Sequence, residues 1–130
     1  MRKLFKKNHK KIGILGGTFD PSHIGHITIS REAKKKFTLD YIIWAVTKKN
    51  PFKNKSKLNL NLRIKHAKKI TKKEKFIKIK FYENKIKSNK TIDLISHIKR
   101  KNNMLDLYFI MGADKLINFF KVIDKIYSFI

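Results

Sequence analysis

The alternation of short apolar runs with segments of helical spacing is the feature that most constrains how this chain can fold. Apolar runs occupy residues 12–15, 41–46, 76–81 and 107–111. Between and after them, apolar residues recur at intervals of three or four, as they do in an amphipathic helix. Strands that alternate with helices form parallel sheets covered on both faces. The sequence therefore predicts an α/β fold built on a doubly wound parallel sheet.

The same spacing predicts an edge strand and the core-facing residues of the first two helices. The third run alternates apolar and lysine positions, which predicts a half-exposed edge strand. Ser22 is expected to cap the first helix. The residues expected to face the core are Ile24, Ile27, Ala33 and Phe37 in the first helix and Leu62, Ala67 and Ile70 in the second.

Length and residue types set the domain organisation and exclude several classes of protein. The chain has 130 residues, which predicts one domain at 11–130 behind a basic tail at 1–10. It contains no cysteine, so disulfides and thiolate metal sites are excluded. No apolar run approaches the ~18 residues of a membrane span. We expect a cytoplasmic protein without a membrane partner.

The charge of the chain is strongly positive, but its composition admits two interpretations. Lysine and arginine number 33 against 9 acidic residues, a formal net charge of +24. Such a charge favours polyanion partners, and weak non-specific binding to nucleic acid is expected at low salt. However, arginine, the better reader of bases and phosphates, occurs only at Arg2, Arg31, Arg63 and Arg100. A solvated lysine surface without a specific partner explains the same charge.

The segment Gly-Gly-Thr-Phe-Asp-Pro-Ser-His-Ile-Gly-His at residues 16–26 carries the strongest chemical signal. It follows the first apolar run and opens a helix, where free N–H groups favour an anion. Paired glycines let a phosphate approach the backbone, and Gly25 leaves room for a flat base or ribose. His23 and His26 share one face of the helix start and can donate to phosphate oxygens. This arrangement suits phosphoryl or nucleotidyl transfer.

Two other interpretations of this segment remain open. The histidine pair could bind zinc, with Asp20 as the nearest further ligand. The glycines could also serve only a tight turn. In a parallel sheet, ligands bind beyond the carboxyl ends of the strands, where strand order reverses. The loops expected at that edge are residues 16–22, 47–53 and 112–114.

The same segment resembles the signature of the nucleotidyltransferases related to class I aminoacyl-tRNA synthetases, and in detail that of the nicotinate-nucleotide adenylyltransferases. Further stretches resemble the family in order along the chain. They are residues 50–53 (Asn-Pro-Phe-Lys), Arg63 at the start of a helix, residues 88–91 (Ser-Asn-Lys-Thr) and residues 109–116 (Phe-Ile-Met-Gly-Ala-Asp-Lys-Leu). The resemblance implies a Rossmann-like sheet of this nucleotidyltransferase type.

The resemblance also implies an activity and a set of site residues. ATP and nicotinate mononucleotide would bind side by side, and adenylyl transfer would give deamido-NAD and pyrophosphate, with Mg²⁺ accompanying ATP. His23 and His26 would be the catalytic residues. The ATP and phosphate contacts implied are Gly16, Gly17, Thr18, Phe19, Gly25 and Asp114, and the substrate contacts are Lys53, Thr91 and Gly112.

The chain departs from the family pattern towards its C-terminus. The family continues into a further strand and an Ile-Ser-x-Thr-x-x-Arg motif that this sequence lacks, and Val122 stands where a tryptophan is usual. We therefore expect a C-terminally truncated member without its last strand and C-terminal helices, with weak or no turnover. Two alternatives remain: transfer to another phosphate ester such as nicotinamide mononucleotide, and a non-catalytic basic module that binds nucleotides or nucleic acid.

Overall fold

The computed structural model describes residues 10–48, 58–87, 91–102 and 104–110. In chain order the elements are β1 (Lys10–Gly17), α1 (Ile24–Phe37), β2 (Tyr41–Val46), α2 (Leu60–Ile70), β3 (Ile77–Lys80), the short α3 (Glu83–Ile86), α4 (Thr91–Lys101) and β4 (Leu105–Ile110). Strands and helices alternate as the apolar runs predict.

The four strands form one parallel sheet in the order β3-β2-β1-β4. In the register, Ile14 of β1 lies between Ile43 of β2 and Phe109 of β4. The order reverses at β1, because β2 and β3 follow on one side and β4 lies on the other. This is the position at which ligands bind in open α/β sheets, and it coincides with the loop after β1.

Both faces of the sheet are covered, which confirms the doubly wound fold. On one face Trp44 and Leu15 pack with residues of α1 and α2, including Ile27 and Ala67. On the other face Ile12, Ile14, Ile43 and Ala45 pack against Ile95 and Ile98 of α4. The buried β-branched residues of β1 and β2 are typical of strands enclosed on both faces.

The predicted inner faces of the first two helices need correction. Ile27 and Ala33 are buried, but Ile24 is 67% exposed and Phe37 is 43% exposed. They lie at the two ends of α1, and the ring centre of Phe37 is 5.3 Å from that of Tyr108 in β4, so this end of the helix meets the sheet but stays partly exposed. The buried stripe is instead Ile27, Ser30 and Ala33, and polar Ser30 conceals that spacing in the sequence.

In α2, too, one residue predicted to face the core is exposed, and a neighbour is buried in its place. Ala67 is buried and Ile70 packs against the core, as predicted. Leu62, however, is 48% exposed, while its neighbour Arg63 is 1% exposed. An apolar residue is thus outside and a charged residue inside, because Arg63 serves the site described below.

The predicted edge strand is confirmed. β3 pairs with β2 alone in the four-strand order. Ile77 is buried and Lys78 is exposed, with its ammonium 4.2 Å from the centre of the Tyr41 ring. A lysine on an edge strand discourages pairing with a second chain. In the part of the chain that the structure describes, no helix is long and apolar enough to span a bilayer.

Candidate functional site

The loop that leaves β1 has its left-handed backbone conformation at Phe19, not at the glycines. Gly16 and Gly17 end the strand without positive φ, while Phe19 has a φ of 50°. The alternative that the two glycines serve only a tight turn is therefore wrong, because both belong to the strand. A non-glycine residue adopts this left-handed conformation at a cost of roughly 1 kcal/mol, so burial of its side chain has to compensate.

The Phe19 ring is 2% exposed and stacks on Trp44 of β2, with ring centres 4.8 Å apart and planes 12° from parallel. His26 lies against the same pair, 4.8 Å from Phe19 and 5.7 Å from Trp44. The rings of Phe19 and Trp44 therefore form an aromatic layer that packs against His26 and supports the histidine pair. Any contact from Phe19 to a phosphate would come from its backbone.

The two histidines cap the first helix reciprocally. His23 is the N-cap residue, where Ser22 was predicted. The N–H of Gly25 donates to Nδ1 of His23 (3.0 Å), and the N–H of His23 donates to Nδ1 of His26 (3.1 Å). The ring centres are 4.1 Å apart. Ser22 is instead buried in the preceding loop, so its hydroxyl does not serve as the cap.

This capping fixes the proton on each ring. An imidazole nitrogen that accepts a hydrogen bond carries no proton, so the neutral ring carries its proton on the other nitrogen. Both His23 and His26 therefore hold a proton on Nε2. A ring in this form donates to an anion, and its one ring-nitrogen lone pair, on Nδ1, is already engaged in the cap, so the geometry disfavours the zinc interpretation.

Gly25 is required by the cap itself. A Cβ at this position would lie 2.7 Å from Cε1 and 2.8 Å from Nδ1 of His23, so the ring would be displaced. The sequence suggested that Gly25 makes room for a base or ribose. The structure gives a nearer reason, because the space is occupied by the His23 ring.

Gly16 and Gly17 are not required by packing in the described residues. A Cβ at Gly16 would meet only Phe109, at 3.8 Å, and one at Gly17 only Phe19, at 3.7 Å. Both are ordinary van der Waals contacts. Packing among the described residues would therefore tolerate alanine at both positions.

A buried hydrogen-bond chain fixes the backbone of His26. Nε1 of Trp44 donates to the Ser30 hydroxyl (2.9 Å), which donates to the carbonyl oxygen of His26 (2.8 Å). Ser30 is 0% exposed. Trp44 thus supports the site twice, by stacking on Phe19 and by holding the first turn of α1.

Three hydrogen bonds from α2 and the segment just before it hold the loop after β1. Arg63 donates to the carbonyl oxygen of Thr18 (2.7 Å), and the Leu58 N–H donates to Oδ1 of Asp20 (2.8 Å). The His66 ring bonds the carbonyl oxygen of Ser22 at 3.1 Å. The sequence named Arg63 only as a match to the family pattern and assigned no role to His66. A charged residue in a core-facing helix position is the signal that could have pointed to Arg63.

The remaining predicted site residues lie outside what the structure describes. Lys53, Gly112 and Asp114 fall in the ranges 49–57 and 111–130. Thr91 begins α4, but its side chain is likewise outside the description. These assignments stay predictions. Within the described ranges, no three His, Asp or Glu side chains form a metal-binding cluster.

Three described residues, Tyr41, Tyr82 and His97, have shifted pKa values and lie against the other face of the sheet. Burial raises the pKa of both phenols, and the charge of Asp40 adds to the effect on Tyr41. Loss of hydration lowers the pKa of His97, and nearby cations lower it further. Those cations are Lys101, Arg100 and Lys85. These groups do not belong to the site at the loop after β1.

The chain is similar to proteins of known family along most of its length. The model of the family described as Cytidylyltransferase-like matches residues 14–130. A Pelagibacter ubique (strain HTCC1062) protein named "Probable nicotinate-nucleotide adenylyltransferase" is 64% identical over 111 residues, covering 85% of this chain and 61% of that protein. A Clostridium perfringens (strain ATCC 13124) protein of the same name is 39% identical over 124 residues, covering 92% and 61%. The chain therefore spans about six-tenths of the length of these curated relatives.

A solved structure shares the fold. It is the Plasmodium falciparum nicotinic acid mononucleotide adenylyltransferase complexed with NaAD, with a TM-score of 0.70 and 22% identity, covering 85% of this chain and 55% of that one. At this identity the likeness shows the fold alone. The family match includes the end of β1, the glycine loop and both histidines, so the chain belongs to the cytidylyltransferase-like family.

Proposed function

We propose that this chain binds ATP at the carboxyl edge of its sheet and that the site serves transfer of the AMP group from ATP to nicotinate mononucleotide. A phosphate oxygen of the mononucleotide attacks the α-phosphorus of ATP. The bond from the α-phosphorus to its bridging oxygen breaks, pyrophosphate leaves and deamido-NAD forms. The observation that supports this proposal best is the reciprocal cap, which engages Nδ1 of both histidines at the helix start after the glycine loop and leaves Nε2 as the donor of each neutral ring.

In this proposal the chain binds and orients phosphates and forms no covalent intermediate. The Nε2–H groups of His23 and His26 donate to phosphate oxygens and stabilise the charge that develops during transfer. Gly16, Gly17 and Thr18 provide close backbone contacts. Because the aromatic rings and the capping bonds hold the imidazoles before the ligand arrives, little reorganisation is needed during the reaction.

Mg²⁺ enters this proposal with the triphosphate and neutralises its charge. The Asp20 carboxylate in this loop accepts from the Leu58 N–H, and the other described groups at the site are imidazole and backbone N–H groups, which suit phosphate oxygens better than a cation. We therefore assign the described residues to the phosphates, and the metal to the ligand.

A second candidate function would use another nucleotide or another acceptor. The family name includes cytidylyltransferases, which favours a comparison of CTP with ATP. Curated relatives are named for nicotinate mononucleotide, and the solved neighbour was complexed with NaAD. We expect ATP over CTP, and nicotinate over nicotinamide mononucleotide. The second candidate is favoured if the chain binds CTP better than ATP, or if it uses nicotinamide mononucleotide better than nicotinate mononucleotide.

The function is tested by titrating the magnesium complexes of ATP and CTP into the folded chain in a calorimeter. Pyrophosphate release with each mononucleotide follows as the second readout. The weak turnover expected from the sequence stays a prediction, so binding is the primary measurement. Failure of the folded chain to bind MgATP would overturn the proposal.

The double substitution Gly16→Ala/Gly17→Ala separates ligand binding from folding. Both added methyl groups fit the fold, and replacing glycine at compatible backbone angles stabilises by about 0.4–1 kcal/mol per site. We expect an unchanged or higher melting temperature, with MgATP affinity reduced about tenfold or more because the phosphate can no longer approach the backbone. Thr28→Ala, on an exposed position of α1, is the control. Unchanged affinity in the double variant would contradict the assignment of the glycines.

A further inference from the structure

Arg63 is a fully charged side chain in an almost completely buried position. It is 1% exposed and lies in the first half of α2. Its guanidinium donates four hydrogen bonds to described residues, and all four acceptors are backbone carbonyl oxygens. They belong to Leu58 (3.1 Å), Thr18 (2.7 Å), Thr47 (2.7 Å) and Lys48 (2.6 Å).

Burying a charge is costly unless hydrogen bonds replace its hydration. Dipoles of carbonyl groups provide that replacement here. An apolar residue would cover the core at this helix position without any desolvation cost. The arginine is therefore explained by what its hydrogen bonds hold and not by the stability that burial provides.

The four carbonyls come from three separate segments. Thr18 belongs to the loop after β1, Thr47 and Lys48 follow β2, and Leu58 precedes α2. Two of these segments also bond each other, since the Thr47 N–H donates to the carbonyl oxygen of Gly17 (2.8 Å). Arg63 lies where these segments meet.

A further hydrogen bond at Lys48 extends the network around Arg63. The Lys48 N–H donates to Oε1 of Glu83 (2.7 Å) while the Lys48 carbonyl accepts from Arg63. The peptide groups on both sides of Lys48 are therefore held. Arg63 is the one residue among these partners that reaches the segments after both β1 and β2 through its side chain.

We propose that Arg63 is a positioning residue of the nucleotide site: its guanidinium fixes the loop after β1 against the segment after β2 so that the loop can receive a triphosphate. The inference rests on the proposed function. It does not require Arg63 to touch the ligand. Lysine cannot take over this role, because an ammonium group is a point charge and lacks the planar fork of N–H donors.

The test compares Arg63→Lys with Arg31→Lys, which changes an exposed arginine paired with Glu74. Affinity for MgATP is measured by calorimetry at a temperature where melting curves show each variant to be folded. We expect Arg63→Lys to bind MgATP about tenfold more weakly or worse, since small displacements of positioned groups have effects of this size. Arg31→Lys should stay within about twofold, as expected for a surface pair. A role in stability alone would lower the melting temperature and leave the affinity of the folded protein unchanged.

A measurement on the wild-type chain applies even if Arg63→Lys does not fold. The Nε–H signal of Arg63 is followed by NMR while MgATP is added, and the proposal requires it to shift as the loop is occupied. Wild-type affinity in folded Arg63→Lys, or a constant Arg63 signal at saturation, would overturn the inference alone. Absence of MgATP binding by the wild-type chain would remove the proposed function, and this inference with it.

Discussion

His23→Asn is expected to leave the helix capped and the chain folded while the affinity for MgATP falls. Asparagine is among the best N-cap residues, so its side-chain oxygen can accept the Gly25 N–H as Nδ1 of His23 does. It has no group at the position of Nε2. Loss of one hydrogen bond to a charged phosphate costs about 1.5–3 kcal/mol, which is about a tenfold to hundredfold loss of affinity. Calorimetry with MgATP measures it.

His23→Ala is the matched variant, because it removes both the cap and the Nε2 donor. We expect the same loss of affinity together with a loss of about 1 kcal/mol in the free energy of unfolding, measured in urea. Alanine and asparagine should thus differ in stability and agree in binding. If His23→Asn bound MgATP as the wild-type chain does, the histidine would be a cap only, and its catalytic assignment would be wrong.

Trp44→Ala is expected to have the largest effect on stability. Trp44 is 0% exposed, stacks on Phe19 and donates to Ser30. Truncating a buried tryptophan costs about 3–5 kcal/mol, a large fraction of the 5–15 kcal/mol typical of domain stability. Urea unfolding measures the change.

Trp44→Phe is the control for this prediction. It keeps a ring against Phe19 and loses the bond to Ser30, so we expect a loss no more than about half that of alanine. Because the left-handed backbone at Phe19 depends on this stack, both variants should also weaken MgATP binding. A stability change below about 1 kcal/mol in Trp44→Ala would contradict the aromatic layer described here.

The spacing of apolar residues was sufficient to predict the fold, because burial on both faces of a parallel sheet leaves a clear pattern. The buried faces of the helices were harder to predict from the sequence. Ser30 is buried because Trp44 satisfies its hydroxyl, and a single sequence does not reveal such a partner. Ile24 and Phe37 match the helical period, yet they lie at the two ends of α1 and stay exposed.

At the site, the residue types were predictable and their contacts were not. A helix start with two histidines indicates an anion site, but the reciprocal capping appears only once the rings are placed. Gly25 was assigned to ligand space because its contact with the His23 ring depends on rotamers. Arg63 joins segments that lie 45 and 15 residues away along the chain, and no local pattern encodes those carbonyl partners.

An NMR measurement of the ¹⁵N shifts of the His23 and His26 rings, with and without MgATP, tests whether the capped histidines bind phosphate. The capping bonds predict that both neutral rings carry the proton on Nε2 before ligand is added. Saturation with MgATP should then shift the Nε2 signals of both rings as they donate to phosphate. Rings protonated at Nδ1, or Nε2 signals that stay constant while ATP binds, would contradict the account.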